Sequence, residues 1–329
     1  MMRAFVTGAT GHVGGNLVRE LLSREFEVKC LVRSDTRAVE GLDVECVKGN
    51  LLDVNELKPL MNDCDVVFHS AAFVAVEKVK EDLMWKINVE GTRSVCDAAI
   101  NSDISKLIHF SSVHAFSQHP TSEALTESRP LVSDPKAAPY DRTKAASQQI
   151  VYDTNERGLS SNVIHPTGII GPYDFKPSRM GDVIINIAEG RMPFTLNTGF
   201  NWVDVRDVCK TAVNCIKLGT PGQNYLTPGS WGSMSEISNY VSEEIGKRKS
   251  IATVPFWTAY LALPFAGFKS RITGERPSFT RGSLHALAVQ CREIPGSLAI
   301  KDLDHSPRAL EETIRDTARW LIDSGSVRG

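Results

Sequence analysis

The N-terminal segment joins two apolar runs through a glycine-rich turn and an amphipathic stretch. The first run covers residues 3–6, the turn covers residues 7–14 with the sequence Thr-Gly-Ala-Thr-Gly-His-Val-Gly, the amphipathic stretch covers 15–25, and the second run covers 27–32. Strand, helix and strand within about 30 residues are typical of a parallel βαβ unit. The start of the chain therefore predicts a parallel sheet with a helix packed on one face.

The same alternation continues through the first half of the chain. Further strands are predicted at 44–47, 65–69, 106–110 and 161–165, and helices at 54–61, 82–101 and 138–157. Strands alternating with helices indicate an α/β protein with a doubly wound parallel sheet of the Rossmann type. We predict a first domain over residues 1–168 with a returning segment at about 200–217, and a smaller, helix-rich C-terminal domain over 169–329 that covers a substrate.

Composition and charge limit the partners of the chain. The net charge is −2 with acidic and basic residues interspersed, and no basic arm or stripe indicates nucleic acid. The seven cysteines include no Cys-x-x-Cys pair, which favours reduced thiols, and no metal site is predicted. Because a predicted strand begins at Arg3, no secretory signal is expected and a cytoplasmic location is predicted.

One apolar stretch, residues 251–268, approaches the length of a membrane span. Pro255, Pro264 and Gly267 interrupt it, which favours a helix packed over the substrate cleft. Contact of this stretch with a membrane surface is the alternative, whereas a span is not expected.

The glycines of the turn have separate functions in a phosphate-binding loop. Gly8 allows a tight turn, Gly11 lets the backbone approach a pyrophosphate, and Gly14 lets the helix pack on the sheet. The helix N-terminus adds free amides and a partial positive charge. A dinucleotide is therefore predicted to bind here, in contact with a set of residues from the turn: Thr7, Gly8, Thr10, Gly11, His12, Val13 and Gly14.

The end of the second predicted strand bears on the choice of dinucleotide. An acidic residue there would hold the ribose hydroxyls of NAD, but the chain has Arg33 and Ser34. The Arg33 guanidinium matches a 2′-phosphate and Ser34 adds a hydroxyl, so NADP is predicted, with NAD as the alternative. An ordinary solvated arginine, neutralised by Asp35, would weaken this interpretation.

Three polar residues indicate a reacting centre. Tyr140 and Lys144 lie one turn apart on the predicted helix 138–157 and share a face. A nearby ammonium and an oxidised nicotinamide ring would draw the pKa of the phenol down toward neutrality, which suits proton exchange with a carbonyl or carbinol oxygen. Ser112 follows the strand 106–110 at the carboxyl edge of the sheet, where its hydroxyl would orient that oxygen.

With these motifs together, the chain resembles the extended short-chain dehydrogenase/reductase family. The pattern is Gly-x-x-Gly-x-x-Gly, then a Ser or Thr, then Tyr-x-x-x-Lys. The resemblance implies that Ser112 orients the substrate, Tyr140 is the acid/base, and Lys144 binds the nicotinamide ribose. It also implies cofactor contacts from residues elsewhere in the first domain: Asn50, Leu51, Ala71, Ala72, Asn88, Pro166, Thr167 and Gly168. Structural roles are expected for His69 and His165.

Departures from the family patterns narrow the chemistry. Val113 and His114 stand where nucleotide-sugar dehydratases carry an Asp-Glu pair, and Phe200 stands where epimerases place an arginine for the diphosphate. The chain thus resembles the dihydroflavonol 4-reductase and 3β-hydroxysteroid dehydrogenase-like branch. The aromatic and imidazole candidates for the substrate cleft are Phe73, His114, Phe116, Tyr173 and Trp202.

We therefore predict an NADPH-dependent reductase of a carbonyl on a moderately apolar small molecule. A nucleotide-sugar epimerase with tightly bound NAD and a non-catalytic sensor of nicotinamide redox state are the alternatives. The resemblance also implies a possible homodimer through a bundle of the helices 82–101 and 138–157.

Overall fold

Strands and helices alternate along the chain up to the end of the sixth strand, as the sequence predicts, except that turns rather than a helix join the second and third strands. The computed structural model describes residues 1–74, 81–246, 251–273 and 280–327. The strands are β1 (Arg3–Thr7), β2 (Glu27–Val32), β3 (Glu45–Lys48), β4 (Val66–His69), β5 (Lys106–Phe110), β6 (Ser161–Pro166), β7 (Gly168–Ile170), β8 (Phe194–Leu196), β9 (Gly199–Asp204), β10 (Asn224–Thr227), β11 (Ser230–Ser233) and β12 (Ala252–Val254).

The helices flank these strands. They are α1 (His12–Ser23), α2 (Val54–Met61), α3 (Glu81–Trp85), α4 (Gly91–Ile100), α5 (Pro139–Glu156), α6 (Arg179–Ala188), α7 (Val205–Leu218), α8 (Met234–Glu244), α9 (Thr258–Thr273), α10 (Arg281–Ala288), α11 (Ser297–Leu303) and α12 (Leu310–Asp323). A π-helical turn, Lys86–Glu90, joins α3 to α4, so the predicted helix 82–101 is one helical run with a local widening.

Seven strands form the large sheet, in the order β10-β6-β5-β4-β1-β2-β3, and every neighbouring pair is parallel. The chain order reverses between β1 and β4, which opens a crevice at the carboxyl ends of these strands. The doubly wound parallel sheet predicted from the sequence is thereby confirmed.

Alternating side chains of each strand feed two apolar cores, one on each face of the sheet. On β1, Ala4 and Val6 face α1, α7 and α11, while Phe5 faces α2, α4 and α5. All three residues are fully buried. A parallel sheet covered on both faces needs apolar side chains in both directions, which is why its strands are near-continuous apolar runs.

The C-terminal part of the chain builds a smaller unit and also completes the large sheet. A three-stranded sheet, β11-β9-β7, packs with α6, α8 and α12 around a separate apolar core. Strand β10 pairs with β6 at the edge of the large sheet, and α11 packs on α7 and β10. These two elements come from residues 169–329, the range predicted as the substrate-covering domain.

The structure gives positions for the cysteines and for the apolar stretch 251–268 that the sequence analysis singled out. All seven cysteines are free, and all but Cys46 are buried. The stretch 251–268 forms β12 and the first part of α9. Within the described ranges, no helix has both the length and the apolar character needed to cross a membrane.

Candidate active site

The glycines of the N-terminal turn are required by contacts between backbones. Gly8 has a φ of +76°, in the left-handed region that favours glycine, and a Cβ there would lie 2.5 Å from the Ala71 nitrogen. A Cβ on Gly14 would lie 2.1 Å from the Gly8 oxygen. The Gly11 amide donates a 2.9 Å hydrogen bond to that same oxygen and closes the turn. Strand and helix thus meet with no side chain between them.

Helix α1 begins directly after this turn with no side chain bonded to its first amides. Its N-cap residue is Gly11, which offers no capping group. The amides of the first turn, including those of His12 and Val13, therefore face the crevice as donors, reinforced by the helix dipole. This arrangement fits a pyrophosphate.

A segment of the C-terminal half, residues 171–176, crosses the start of α1; we call it the strap. His12 Nε2 lies 3.1 Å from the Pro172 carbonyl oxygen, and Asn16 Nδ2 donates to the same oxygen at 3.0 Å. Further along, the Arg19 guanidinium lies 4.2 Å from the centre of the Tyr173 ring. The His12 side chain is therefore engaged by the strap, which leaves only its amide for a phosphate.

The strap ends at the position predicted to receive the adenosine ribose. Asp35 accepts three hydrogen bonds from Arg37, one from its amide at 3.2 Å and two from its guanidinium at 3.1 and 2.8 Å, and Asp35 Oδ2 lies 3.2 Å from Lys176 Nζ. These hydrogen bonds, chiefly from Arg37, hold the pKa of Asp35 well below its usual value. Arg33 and Ser34 are exposed, and Arg33 makes no hydrogen bond or ion pair within the described ranges. Asp35 is thus neutralised by cations other than Arg33, and Lys176 joins the site from a distant segment.

The remaining predicted contacts of the adenosine half lie along the same crevice. Asn50 is exposed and its Oδ1 accepts a 3.1 Å hydrogen bond from the Leu52 amide, while Leu51 is half-buried beside α4. The Ala71 amide lies 3.4 Å from Thr7 Oγ1, and Ala72 is exposed. Thr10 is half-buried in the turn itself.

Ser112, Tyr140 and Lys144 meet at the carboxyl edge of the sheet. Ser112 caps a short 3₁₀ turn, Val113–Ala115, that follows β5. Tyr140 lies in the first turn of α5, close enough to the Ser112 hydroxyl for that group to lower the pKa of the phenol. Lys144 follows one turn later, with Nζ 5.9 Å from the centre of the Tyr140 ring and 2.9 Å from the Phe110 oxygen, to which it donates.

Burial controls the protonation of these groups. It raises the pKa of Tyr140 to about 12, against the lowering effect of the Ser112 hydrogen bond. Burial also lowers the pKa of Lys144 to about 8. Desolvation of the phenolate outweighs the effect of the protein's own neighbouring groups, and the joint lowering of this pKa by the ammonium and an oxidised nicotinamide ring stays a prediction. The phenol is therefore fully protonated at neutral pH.

Asn88 supports the reacting centre from the π-helical turn. Its Oδ1 accepts from the Phe73 amide at 2.7 Å, and its Nδ2 donates to the Phe73 oxygen at 3.0 Å and to Thr143 Oγ1 at 3.2 Å. Such π turns are frequent at functional sites. Asn88 thus ties the chain after β4 to helix α5, between Tyr140 and Lys144.

Two buried hydroxyls at this edge have no protein partner. Thr167 Oγ1 and Ser111 Oγ are both buried and make no hydrogen bond to any described residue. Thr167 lies between Pro166, the last residue of β6, and Gly168, where a Cβ would lie 2.6 Å from the Trp202 ring. Unpaired buried hydroxyls are costly. Together with the turn and the uncapped α1, they fit the polar groups of a bound dinucleotide.

The histidines expected to be structural are buried and bonded. His69 Nδ1 lies 2.7 Å from Thr7 Oγ1 and its Nε2 lies 2.9 Å from Thr92 Oγ1. His165 Nδ1 lies 3.1 Å from the Ser112 oxygen. Burial lowers the pKa of His69 to about 3 and that of His165 to about 4, so both are neutral at physiological pH.

The predicted substrate residues are only partly brought together. His114 follows Ser112 and stacks on Phe200 with ring centres 6.0 Å apart, and Phe73 lies beside Asn88.

Two other candidates are core residues. Phe116 is 1% exposed against His165, and Trp202 is 6% exposed with its Nε1 bonded to the Gly232 oxygen at 3.0 Å. Tyr173 belongs to the strap and packs on Arg19 and Trp320. Phe200, which is not among the predicted substrate residues, thus contacts one of them, His114.

A parallel sheet with a glycine-rich turn at its switch point and a Ser-Tyr-Lys centre defines an oxidoreductase that uses a nicotinamide dinucleotide. Residues 4–226 match the NAD dependent epimerase/dehydratase family. The chain belongs to this family, within the extended short-chain dehydrogenases/reductases.

Individual relatives match over nearly their whole length. Sterol demethylase protein B of Methylococcus capsulatus is 31% identical over 330 residues, which cover 99% of this chain and 100% of that protein. A Synechocystis protein named as a dihydroflavonol 4-reductase is 28% identical, with 98% and 96% covered. The crystal structure of gox2253 superimposes with a TM-score of 0.84 at 28% identity over 100% of both chains. The predicted resemblance to the dihydroflavonol reductase-like branch is confirmed.

Proposed function

We propose that this protein is an NADPH-dependent reductase that converts a carbonyl on a moderately apolar small molecule to a secondary alcohol. The observation that carries the proposal is the convergence of Ser112, Tyr140 and Lys144 at the edge of the sheet. The two unpaired hydroxyls of Ser111 and Thr167 lie at the same edge. A redox sensor would have no need of such a centre.

The chain's own residues supply the proton and the orientation. Bound NADPH supplies the hydride to the carbonyl carbon. Tyr140 is protonated at neutral pH because its pKa is about 12, and it donates its phenolic proton to the carbonyl oxygen as negative charge develops there. The Ser112 hydroxyl, which lies close to the phenol, orients the same oxygen. The Lys144 ammonium, anchored on the Phe110 oxygen, stabilises the phenolate that remains.

The surroundings of this centre favour an uncharged, apolar substrate. Phe200 stands where an arginine would bind a diphosphate, and it stacks on His114. Burial lowers the pKa of His114 to about 4, so this imidazole carries no positive charge at neutral pH. The relatives are named for a sterol and for a dihydroflavonol, both polycyclic molecules of low charge. These observations support a cyclic ketone over a nucleotide-sugar.

The test is NADPH oxidation by the purified protein against a panel of sterol-like, flavonoid and isoprenoid ketones. We expect Tyr140→Phe to lower kcat by about a thousandfold, within the range for loss of a general acid, with little change in NADPH affinity. Tyr152→Phe, on the same helix α5, is the matched control and should keep its activity. Undiminished turnover by Tyr140→Phe would refute the assignment, as would epimerisation of UDP-glucose without added cofactor.

The cation cluster at the ribose end supports NADP. Arg37 and Lys176 together neutralise Asp35, so the positive charge of the exposed Arg33 is available to a 2′-phosphate. A guanidinium binds phosphate through two parallel hydrogen bonds. Arg33, Arg37 and Lys176 outnumber the Asp35 carboxylate, so the local charge is positive and does not repel a 2′-phosphate.

Competition between NADPH and NADH tests this part. We expect Arg33→Glu to weaken NADPH by about a hundredfold, as for a lost charge-assisted pair, and NADH only slightly. Lys301→Glu, an exposed change on α11, is the control. Equal effects of Arg33→Glu on both dinucleotides would show that Arg33 does not bind the phosphate.

A further inference from the structure

Helix α9 and the residue before it present a row of large apolar side chains to solvent. Trp257, Tyr260, Leu261 and Phe265 are 62%, 44%, 66% and 76% exposed. At about 100° per residue these four positions fall within an arc of about 140°, whereas Ala259, outside that arc, is 1% exposed. We call this row the α9 face. Leu218 on α7 and Ile300 on α11 are also exposed, but each is the single large apolar side chain exposed on its fully described helix.

The sequence from residue 247 to residue 273, which includes the α9 face, is basic. Between residues 247 and 273 it has five cations (Lys247, Arg248, Lys249, Lys269 and Arg271) and no Asp or Glu, although the chain as a whole has a net charge of −2. A second copy of this chain would bring the same positive charge and repel. Apolar and aromatic side chains beside lysine and arginine instead complement an anionic lipid surface. Trp and Tyr are also the residues enriched at membrane–water interfaces.

The α9 face is connected to the rim of the candidate active site. Helix α9 packs on α10, and the residues after α10 bond to segments that flank the site. Gln290 Nε2 donates to the Gly199 oxygen at 2.7 Å, next to Phe200. Cys291 Sγ donates to the Gln118 oxygen at 3.1 Å, and the Gln118 side chain in turn donates to the Val113 oxygen at 2.9 Å.

We propose that the α9 face docks this protein on the surface of an anionic lipid bilayer. The apolar side chains enter the boundary between headgroups and acyl chains, and the net positive charge of the sequence over 247–273 favours anionic headgroups. This interaction surface lies beyond the reductase activity and does not depend on it. It would hold the substrate cleft close to the membrane.

Flotation of the full chain with vesicles tests the proposal. We expect binding to phosphatidylcholine vesicles that contain phosphatidylserine, weaker binding at high salt, and little binding to phosphatidylcholine alone. Leu261→Ser and Phe265→Ser should each lower the partition coefficient by roughly tenfold. Leu218→Ser and Ile300→Ser remove apolar side chains that are more than half exposed elsewhere and should leave the partition coefficient unchanged.

A conservative variant keeps the test independent of folding. Trp257→Phe retains the apolar face, so vesicle binding should persist, but quenching of tryptophan fluorescence by brominated phosphatidylserine should be largely lost relative to the unaltered chain. Absence of binding by the unaltered chain would overturn the proposal. Equal binding to vesicles without phosphatidylserine, or conversion of a dimer to a monomer by Leu261→Ser in the absence of lipid, would overturn it as well.

Discussion

Gly14 offers the sharpest test of the dinucleotide-binding turn. In a Gly14→Ala variant the new Cβ would lie 2.1 Å from the Gly8 oxygen, 2.6 Å from the Gly8 carbonyl carbon and 2.7 Å from Ala9 Cα. All three neighbours are backbone atoms, so the clash cannot be relieved by rotation of a side chain. The turn must therefore open by about 1 Å or more to reach an ordinary contact distance.

The Gly14→Ala substitution is expected to weaken dinucleotide binding more than it destabilises the fold. An amide–phosphate hydrogen bond lengthened by about 1 Å is no longer a hydrogen bond. Loss of two such charge-assisted bonds, at about 1.5–3 kcal/mol each, raises the Kd for NADPH and NADH alike by about a hundredfold or more. Overpacking lowers the free energy of unfolding by about 1–3 kcal/mol, which the higher helix propensity of alanine offsets by about 1 kcal/mol.

Gly15→Ala is the matched control in the same helical turn. Its Cβ would lie 3.1 Å from Ala38 Cβ, a contact that a shift of a few tenths of an ångström relieves, so dinucleotide affinity should be unchanged and stability should change by no more than about 1 kcal/mol. Calorimetric titration with NADPH and denaturant unfolding of both variants decide the matter. A Gly14→Ala protein that binds NADPH as tightly as Gly15→Ala would refute the steric reasoning.

Three further predictions follow from groups around the site. The pKa of Lys144 is about 8, so its charge is present below that pH and lost above it; the reduction rate should fall above about pH 8, and Lys144→Arg should abolish this alkaline limb in the pH–rate profile. Burial lowers the pKa of His165 to about 4 from 6.5, so its contribution to stability is complete above pH 6.5 and is lost toward pH 4; His165→Asn should flatten the dependence of Tm on pH over that range. Asn88→Ala should lower the free energy of unfolding by about 1–3 kcal/mol in urea titrations, because it removes two hydrogen bonds to the Phe73 backbone at about 0.5–1.5 kcal/mol each, and an unchanged midpoint would contradict this.

Elements with a strong local pattern were predictable from the sequence almost residue by residue. Helix α2 and strand β5 have the predicted bounds, because a buried strand and an amphipathic helix each reveal their periodicity within a few residues. Helix α1 begins at His12, earlier than the predicted residue 15, because the glycines of the turn hide the apolar pattern of its first turn.

Features that depend on distant contacts were not predictable. Lys176 reaches Asp35 from a segment far along the chain, and the local sequence of neither residue indicates the pairing. Trp202 is an aromatic residue of the kind expected in a substrate cleft, but it packs closely on Gly168 and is a core residue. The raised pKa of Tyr140 likewise depends on how deeply the surrounding elements bury the phenol, which spacing along one helix does not convey.

The return of β10 and α11 to the large sheet has a consequence for synthesis on the ribosome. The glycine-rich turn emerges first, but the edge strand beside β6 emerges only after residue 227 and the helix that covers it only after residue 303. A nascent chain released before that point would expose the edge of β6 and the apolar face beneath α11, both of which promote aggregation. The glycine-rich turn is translated early, but the sheet that carries it is complete only after nearly the whole chain has been synthesised.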